Sequence, residues 1–345
     1  MKIAMMTPWN DERGASVHAK ALVNAWLKKG HKVTVFSFLK EDYGEDKFTG
    51  KDERYVIRCF GKDYLDPRPI LTTEFDIFVV EDLRVLPVDE LAKIFPMIKE
   101  HAFPVHIVHE EKLPEETWFY QLPWDKVIYF DERQEFLKDV YPDAEYIPFP
   151  CFPIRRGDKI ESRKKLDLPI DKKIIFTFCQ RGYLPYLRYL CEELLTDVVL
   201  LFVIPPDFEM LEKESAPPWM IVREEGALSD ERFDDYLFAS DAVIFHKYQN
   251  RYLRLVSATI FQAMGAGCPI FIPQQSEYFQ PLKDEVVYYN DTDDLTRKLI
   301  AFCVDERIAK GIIEAEEVYT HIRSADKIAE IYIDVFTKVM KARGL

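Results

Sequence analysis

Short, densely apolar runs recurring between stretches of helical period constrain this chain more than any other feature. Lys2 to Met6 is the first such run and is broken by Pro8; a loop with Gly14 follows. Ser16 to Lys29 then carries Val17, Ala21, Leu22, Ala25 and Trp26 at helical spacing and stops at Gly30, and Lys32 to Phe38 forms the next run. A strand, a glycine-bearing loop, a helix and a second strand make a right-handed βαβ unit, the opening of a doubly wound sheet.

The alternation continues. Strand-like runs at Tyr55–Phe60, Phe75–Val80, Val105–His109, Lys126–Phe130 and Glu145–Ile147 enclose helical patterns near Val88–Glu100 and Asp131–Tyr141, whereas residues 41–54 read as an exposed polar loop. Prolines and charges then interrupt the pattern, which predicts a linker over 151–172 between an N-terminal domain, 1–150, and a second one, 173–320. In the second domain, strands at Ile174–Cys179, Val198–Ile204, Ile221–Glu224, Ala242–Phe245, Pro269–Ile272 and Val286–Tyr289 alternate with helices around Tyr186–Leu195, Asp230–Ala239 and Val256–Ala266. Helices near Leu295–Val304 and Glu306–Thr320 follow, and residues 321–345 hold a last helix that is expected to cross back to the first domain with Ile328, Ile331, Val335 and Val339 on its apolar face. The predicted fold class is α/β, with two doubly wound, Rossmann-like domains in tandem whose strand ends face an interdomain cleft.

The stretch Ser240–Pro273 concentrates the chemistry. Its loop holds Lys247, Arg251 and Arg254 and leads into a helix with Ser257 as its N-cap, and cations beside a helix N-terminus suit a phosphate. The formal net charge of −14 makes such a local cationic loop informative and argues against a nucleic-acid partner held by general electrostatics. No GxGxxG follows the first strand, which removes the main support for a dinucleotide-dependent oxidoreductase. The six cysteines, Cys59, Cys151, Cys179, Cys191, Cys268 and Cys303, lack metal-ligand spacing and read as reduced core residues of a cytoplasmic protein. No metal and no cofactor is expected. No apolar run reaches the length of a membrane span, although peripheral membrane contact stays open.

Several segments resemble a known family. MKIAMMTPWNDERGASVHAKALVNAWLKKGHKVTVFS is similar to the opening of retaining family 4 glycosyltransferases of the GT-B fold, EYIPFPCFP to their interdomain connection, and SRKKLDLPIDKKIIFTFCQRG to the start of their second domain. GALSDERFDDYLFASDAVIF and FQAMGAGCPIFIP resemble two later segments, in the same order. The resemblance implies a nucleotide-diphosphate sugar as co-substrate, held by the C-terminal domain, and a glycan, lipid-linked or small-molecule hydroxyl acceptor on the N-terminal one. It implies transfer with retention, without a metal. Arg181 matches a diphosphate-binding arginine; Tyr186 replaces an expected lysine, for which Arg188 can compensate. The family's two glutamates fall at Arg254 and Gln262, and Gln262 can still meet a ribose. Lys247, Arg254, Ser257 and Ala258 complete the implied donor side. His109 matches a histidine that contacts the donor sugar; Gly14 and His18 join it on the acceptor and sugar side.

Asp11, Glu12, Glu81 and Asp82 lie in loops after strands where an acceptor could meet them, but charged residues there are expected to be solvated; Trp118, Trp124 and Trp219 could stack on sugars, but are expected to pack in cores. The altered glutamate positions leave a second reading open, a degenerate glycosyltransferase-like protein that binds nucleotide, glycan or protein without transfer. A third is another GT-B activity, epimerase or hydrolase.

Overall fold

A run of seven apolar residues, VVLLFVI from Val198 to Ile204, is buried at every position, which only a strand covered on both faces can achieve. Other central strands follow it, while the edge strands stay half-buried, in the computed structural model, which describes residues 1–11, 13–44, 47–109, 122–178, 197–206, 219–246, 256–276, 279 and 281–343. The chain divides into two units, one of residues 1–150, 252–258 and 323–345, the other of residues 151–251 and 259–322.

In the first unit, strands β1 (Lys2–Met6), β2 (Lys32–Phe38), β3 (Val56–Phe60), β4 (Ile77–Glu81), β5 (Phe103–Ile107), β6 (Lys126–Tyr129) and β7 (Glu145–Tyr146) form one sheet in the order β3-β2-β1-β4-β5-β6-β7. Every pairing in it is parallel. Helices α1 (Gly14–Lys28), α2 (Arg68–Thr72) and α3 (Val88–His101) are the crossovers between strands. Residues Glu132–Asp139 form a 3-10 helix, where the sequence pattern predicts an ordinary helix; Asp131 and Gln134 close a capping box at its start. Helix α1 buries Ala15, Ala19, Leu22, Val23 and Trp26, spaced by three and four residues, and ends where Gly30 takes φ 84°, a left-handed conformation that lets His31 N–H return to the Trp26 carbonyl.

The second unit starts with helix α4 (Lys159–Lys165), inside the proline- and charge-rich stretch. Its strands β8 (Lys173–Phe178), β9 (Val198–Ile204), β10 (Met220–Glu224), β11 (Ala242–Ile244), β12 (Ile270–Pro273) and β13 (Val287–Tyr289) pair in parallel in the order β10-β9-β8-β11-β12-β13. Helices α5 (Asp230–Ala239), α6 (Ala258–Ala266), α7 (Thr292–Val304) and α8 (Glu306–Ile322) accompany them. At the N-terminal edge of the sheet, buried Asp241 accepts from the Ile174 N–H at 2.8 Å and from Arg163 Nη2 at 2.7 Å. Burial alone would raise this carboxyl, but those bonds together with Lys159 hold it below the usual carboxylate range.

Helix α9 (Ala325–Ala342) belongs to the first unit. It lies on α1, where Trp26 Nε1 donates to the Ala329 carbonyl at 3.4 Å. Its buried face is Ile328, Ala329, Tyr332, Val335 and Phe336; Ile331, placed on that face by the sequence, is instead 40% exposed. The larger aromatic rings decide the rotation of the helix, since Tyr332 and Phe336 pack against Trp26. The described cysteines Cys59, Cys151, Cys268 and Cys303 are free thiols.

One polar group in the second unit is costly. Glu316 on α8 is fully buried, and neither carboxyl oxygen has a hydrogen-bond partner. Burial therefore raises its pKa well above the ordinary value. An unfolded chain releases the proton above about pH 4.3, so folded stability falls as the pH rises from there through the raised folded-state pKa. Glu316→Gln is expected to remove this slope, gaining about 1–3 kcal/mol at pH 8 and far less near pH 4. Thermal midpoints of the two proteins across that range check it; a difference independent of pH would contradict the buried neutral acid.

Candidate functional site

Strand order reverses between β1 and β4 in the first sheet and between β8 and β11 in the second, and ligands of doubly wound sheets bind outside the carboxyl ends of strands at such points. The residues at both reversals can be followed side chain by side chain.

In the first unit Glu81 is the last residue of β4 and fully buried. The sequence expectation that Glu81 and Asp82 are solvated is therefore corrected: the strand continues one residue beyond its apolar run and carries the carboxylate inside. Asp82, also buried, turns the chain at φ 55° and accepts from Arg84 Nε at 2.7 Å. His18, on the buried face of α1, brings Nδ1 to 2.7 Å from Glu81 Oε1. His109, two residues beyond β5 and 6% exposed, places Nε2 3.6 Å from Glu81 Oε2. Thr7, just after β1, donates its hydroxyl to Oε2 at 3.4 Å. The two imidazoles meet edge to face with centroids 5.4 Å apart, and Phe130 and Phe149 wall His18 at 5.3 and 4.8 Å.

A buried carboxylate is tolerated only with partners that offset its lost hydration. Burial pushes the Glu81 carboxyl up, yet the imidazoles of His18 and His109 outweigh it and hold it down, at about 2. Burial lowers the His18 imidazole, with Glu81 opposing. The carboxylate accepts only, so the His18 nitrogen facing it carries a proton. His18, Glu81 and His109 also form the single cluster among the described residues whose donor atoms, all within 4.8 Å of one another, could reach one metal ion. Histidine 106, by contrast, is a core residue. Neither of its nitrogens has a hydrogen-bond partner, its ring lies 5.0 Å from that of Trp124, and burial pushes it down to about 3.

Elsewhere in the first unit, Gly14 opens α1 and is exposed. Asp11 is buried rather than solvated; its Oδ1 accepts from the Arg13 N–H at 3.0 Å. Trp124 packs on the core of the first unit and Trp219 on that of the second, as the composition suggests.

In the second unit, α6 follows the carboxyl end of β11. Ser257 and Ala258 at its start, which are counted with the first unit, are buried. Gln262 is buried too, and its side-chain amide donates to Asp230 Oδ1 at 3.3 Å, a contact that leaves the amide oxygen to accept. Arg155 grips both helices: Nε and Nη2 bind the two oxygens of Asp234 on α5 at 2.7 and 2.6 Å, and Nη2 also donates to the Gln262 carbonyl at 3.0 Å. His246, two residues beyond β11, was not singled out by sequence. It stacks on Tyr289 at 9° between ring planes and bonds its hydroxyl through Nδ1 at 2.5 Å; burial pushes this imidazole down to about 3. Arg181, Arg188, Lys247 and Arg254, with Tyr186, Glu12 and Trp118, lie outside the described residues. A groove of ≈ 490 Å³ lies at the opposite, N-terminal edge of this sheet, but its Lys159, Arg163 and Lys173 are already paired with Asp241.

Solved structures share this architecture over nearly the whole chain. HepE of Anabaena, in complex with UDP-glucose, is 12% identical with a TM-score of 0.67, covering 98% of this chain and 100% of its own. The fold is GT-B. A pneumococcal O-GlcNAc transferase, GtfA, with UDP and GlcNAc matches at 10% identity and TM-score 0.67 over 99% of each chain. An alpha-glucosyltransferase, AGT, in complex with UDP matches at 12% identity and TM-score 0.66, over 98% of this chain and 100% of that one. No family model matches the sequence. Two parallel sheets of seven and six strands thus carry the GT-B order on a sequence that has diverged far from these neighbours.

In the second unit the position of α6 depends on one small residue. A Cβ at Gly265 would stand 2.8 Å from the Pro153 carbonyl oxygen and 3.0 Å from that of Phe152, and backbone cannot yield as a side chain would. The Arg155 N–H bonds the Gly265 carbonyl at 2.7 Å across the same contact. Gly265→Val is expected to cost about 1–3 kcal/mol, read as a lowered urea midpoint with unchanged slope. An unchanged midpoint would show that the helix is free to move away from residues 152–155.

Proposed function

We propose that the chain is a retaining, family 4-type glycosyltransferase of the cytoplasm that moves a sugar from a nucleotide-diphosphate donor to a hydroxyl of a glycan, lipid-linked or small-molecule acceptor. One observation carries this reading: α6 is the next helix after β11, a strand at the strand-order reversal of the second sheet, in a fold whose solved neighbours hold UDP or UDP-glucose. The donor would be held by residues 173–320. Arg181, Lys247 and Arg254, with Arg188 in support, neutralise the diphosphate together with the amides at Ser257 and Ala258, and Gln262 meets the ribose. Residues 1–150 supply the acceptor side, with Gly14, His18 and His109 nearest the sugar.

Chemistry of this kind needs placement and stabilisation of the leaving-group charge more than a protein nucleophile. Guanidinium and ammonium groups with helix amides supply that stabilisation, and no metal is required in this scheme. The AGT neighbour has also been solved with UDP and a 13-mer DNA. For this chain a nucleic-acid acceptor is disfavoured by the net charge of −14. Arg254 and Gln262, standing where the resemblance expects glutamates, favour a second reading in which nucleotide or glycan is bound without transfer.

A thermal-shift series with UDP, GDP, ADP and dTDP and their sugar conjugates tests the donor site. One nucleotide family is expected to stabilise the protein, by about 2.7 kcal/mol at a hundredfold excess over Kd, and Arg181→Ala to abolish the shift. Release of nucleoside diphosphate only when acceptor is present supports transfer, and saturable binding without release supports the second reading. Absence of any shift at millimolar nucleotide would remove the donor site.

A further inference from the structure

The two oxygens of the Glu81 carboxylate are not served alike. Oε1 lies 2.7 Å from His18 Nδ1, an ordinary distance for a hydrogen bond to a charged oxygen. The contacts of Oε2 are long, the Thr7 hydroxyl at 3.4 Å and His109 Nε2 at 3.6 Å. A gap of 3.6 Å is too wide for a hydrogen bond between carboxylate and ring. It is close to the spacing of two ligands on one tetrahedral zinc ion, whose bonds of about 2.1 Å set neighbouring ligand atoms roughly 3.4 Å apart. The donor atoms of His18, Glu81 and His109 lie within 4.8 Å of one another, and all three side chains are at least nine-tenths buried. They come from α1, the last residue of β4 and the segment just after β5, so three separate elements of the first unit converge on one point.

We propose that His18, Glu81 and His109 are a binding site for one zinc ion, with His18 Nδ1, a Glu81 oxygen and His109 Nε2 as its ligands. Two imidazoles and one carboxylate suit zinc, whereas calcium and magnesium prefer oxygen throughout. The ion enters where His18 now presents its proton to Glu81, that proton leaves, and the cation offsets a carboxylate that burial has stripped of water. Groups around the ligands fit the same role. The Thr7 hydroxyl reaches Oε2, and the rings of Phe130 and Phe149, at 5.3 and 4.8 Å, hold the His18 imidazole and keep water away from it. Zinc bound there ties α1 to the ends of β4 and β5. The transfer chemistry proposed above needs no metal, and the ion takes the two imidazoles placed beside the sugar, so zinc and sugar compete for them. That competition rests on the transferase reading; the site does not.

Chelator-treated intact protein, titrated with zinc chloride against a colorimetric zinc indicator, is expected to take up one equivalent. His18→Asn and His109→Asn each remove a ligand and are expected to weaken that uptake at least about a hundredfold, since even groups behind the ligands are worth about ten- to a hundredfold. Cobalt(II) added in place of zinc is expected to give the strong visible bands of a four-coordinate ion in wild type and in neither variant. No uptake by wild type would overturn the site. Equal uptake by wild type and both variants would overturn it too, marking adventitious surface ions only. Should the variants fold poorly, wild type alone decides the matter through the ring ¹⁵N resonances of its histidines. One equivalent of zinc is expected to shift those of His18 and His109 and to leave those of His246, in the second unit, in place. Unmoved His18 and His109 resonances would overturn the site. If zinc binds as stated and wild type transfers no sugar even after chelation, the transferase reading fails and the zinc site stands.

Discussion

A parallel sheet cannot leave a face open, because every return to the next strand brings a crossover segment over it. That constraint organises both units: the central strands are buried along most of their length, as all seven residues of β9 are. Polar chemistry is thereby driven to the two ends of the strands. Asp241 tends the N-terminal end of the second sheet, tying β8 and β11 to Arg163, and Glu81 stands at the C-terminal end of the first. Both are buried carboxylates, but they differ in their partners. Asp241 binds a guanidinium and a backbone amide, groups that never give up their protons in this range. Glu81 binds imidazoles, whose protons are mobile.

Much of the fold was legible because period-two and fully apolar runs survive divergence. The runs Lys2–Met6, Lys32–Phe38 and Val198–Ile204 coincide with observed strands, and the helix Asp230–Ala239 begins and ends as its pattern predicts. Errors concentrate where local signals compete with packing. Lys159–Lys165 is helical within a stretch rich in proline and charge because Asp158 caps it, accepting from two backbone amides. In α9 the large rings Tyr332 and Phe336 outweigh the aliphatic stripe through Ile331.

The site was legible in its members but not in its connections. His18 and His109 could be singled out from segment resemblance, whereas the residue joining them looked like an ordinary loop acid. Nothing in FVVEDLR says that β4 runs one position further and takes Glu81 inward. The signal that could have found it is an isolated carboxylate closing a fully apolar strand, with a histidine available on a neighbouring helix. His246 was overlooked because its partner, Tyr289, is remote in sequence and close only through the pairing of β11, β12 and β13. Gln262, read as a ribose contact, is bonded to Asp230, a link that no spacing in the sequence announces.

Helix α9 has a consequence for the order in which the molecule can be made. Trp26 and Ala329 are separated by 303 residues, and the wall behind α1 and His18 includes Tyr332. A chain emerging from the ribosome can assemble the first sheet early, but one side of α1 stays bare until the last helix has been synthesised. The first unit is thus finished only after the second has had its whole length available to fold. Nascent chains halted near residue 320 would show an apolar stripe along α1, a natural place for a chaperone to dwell.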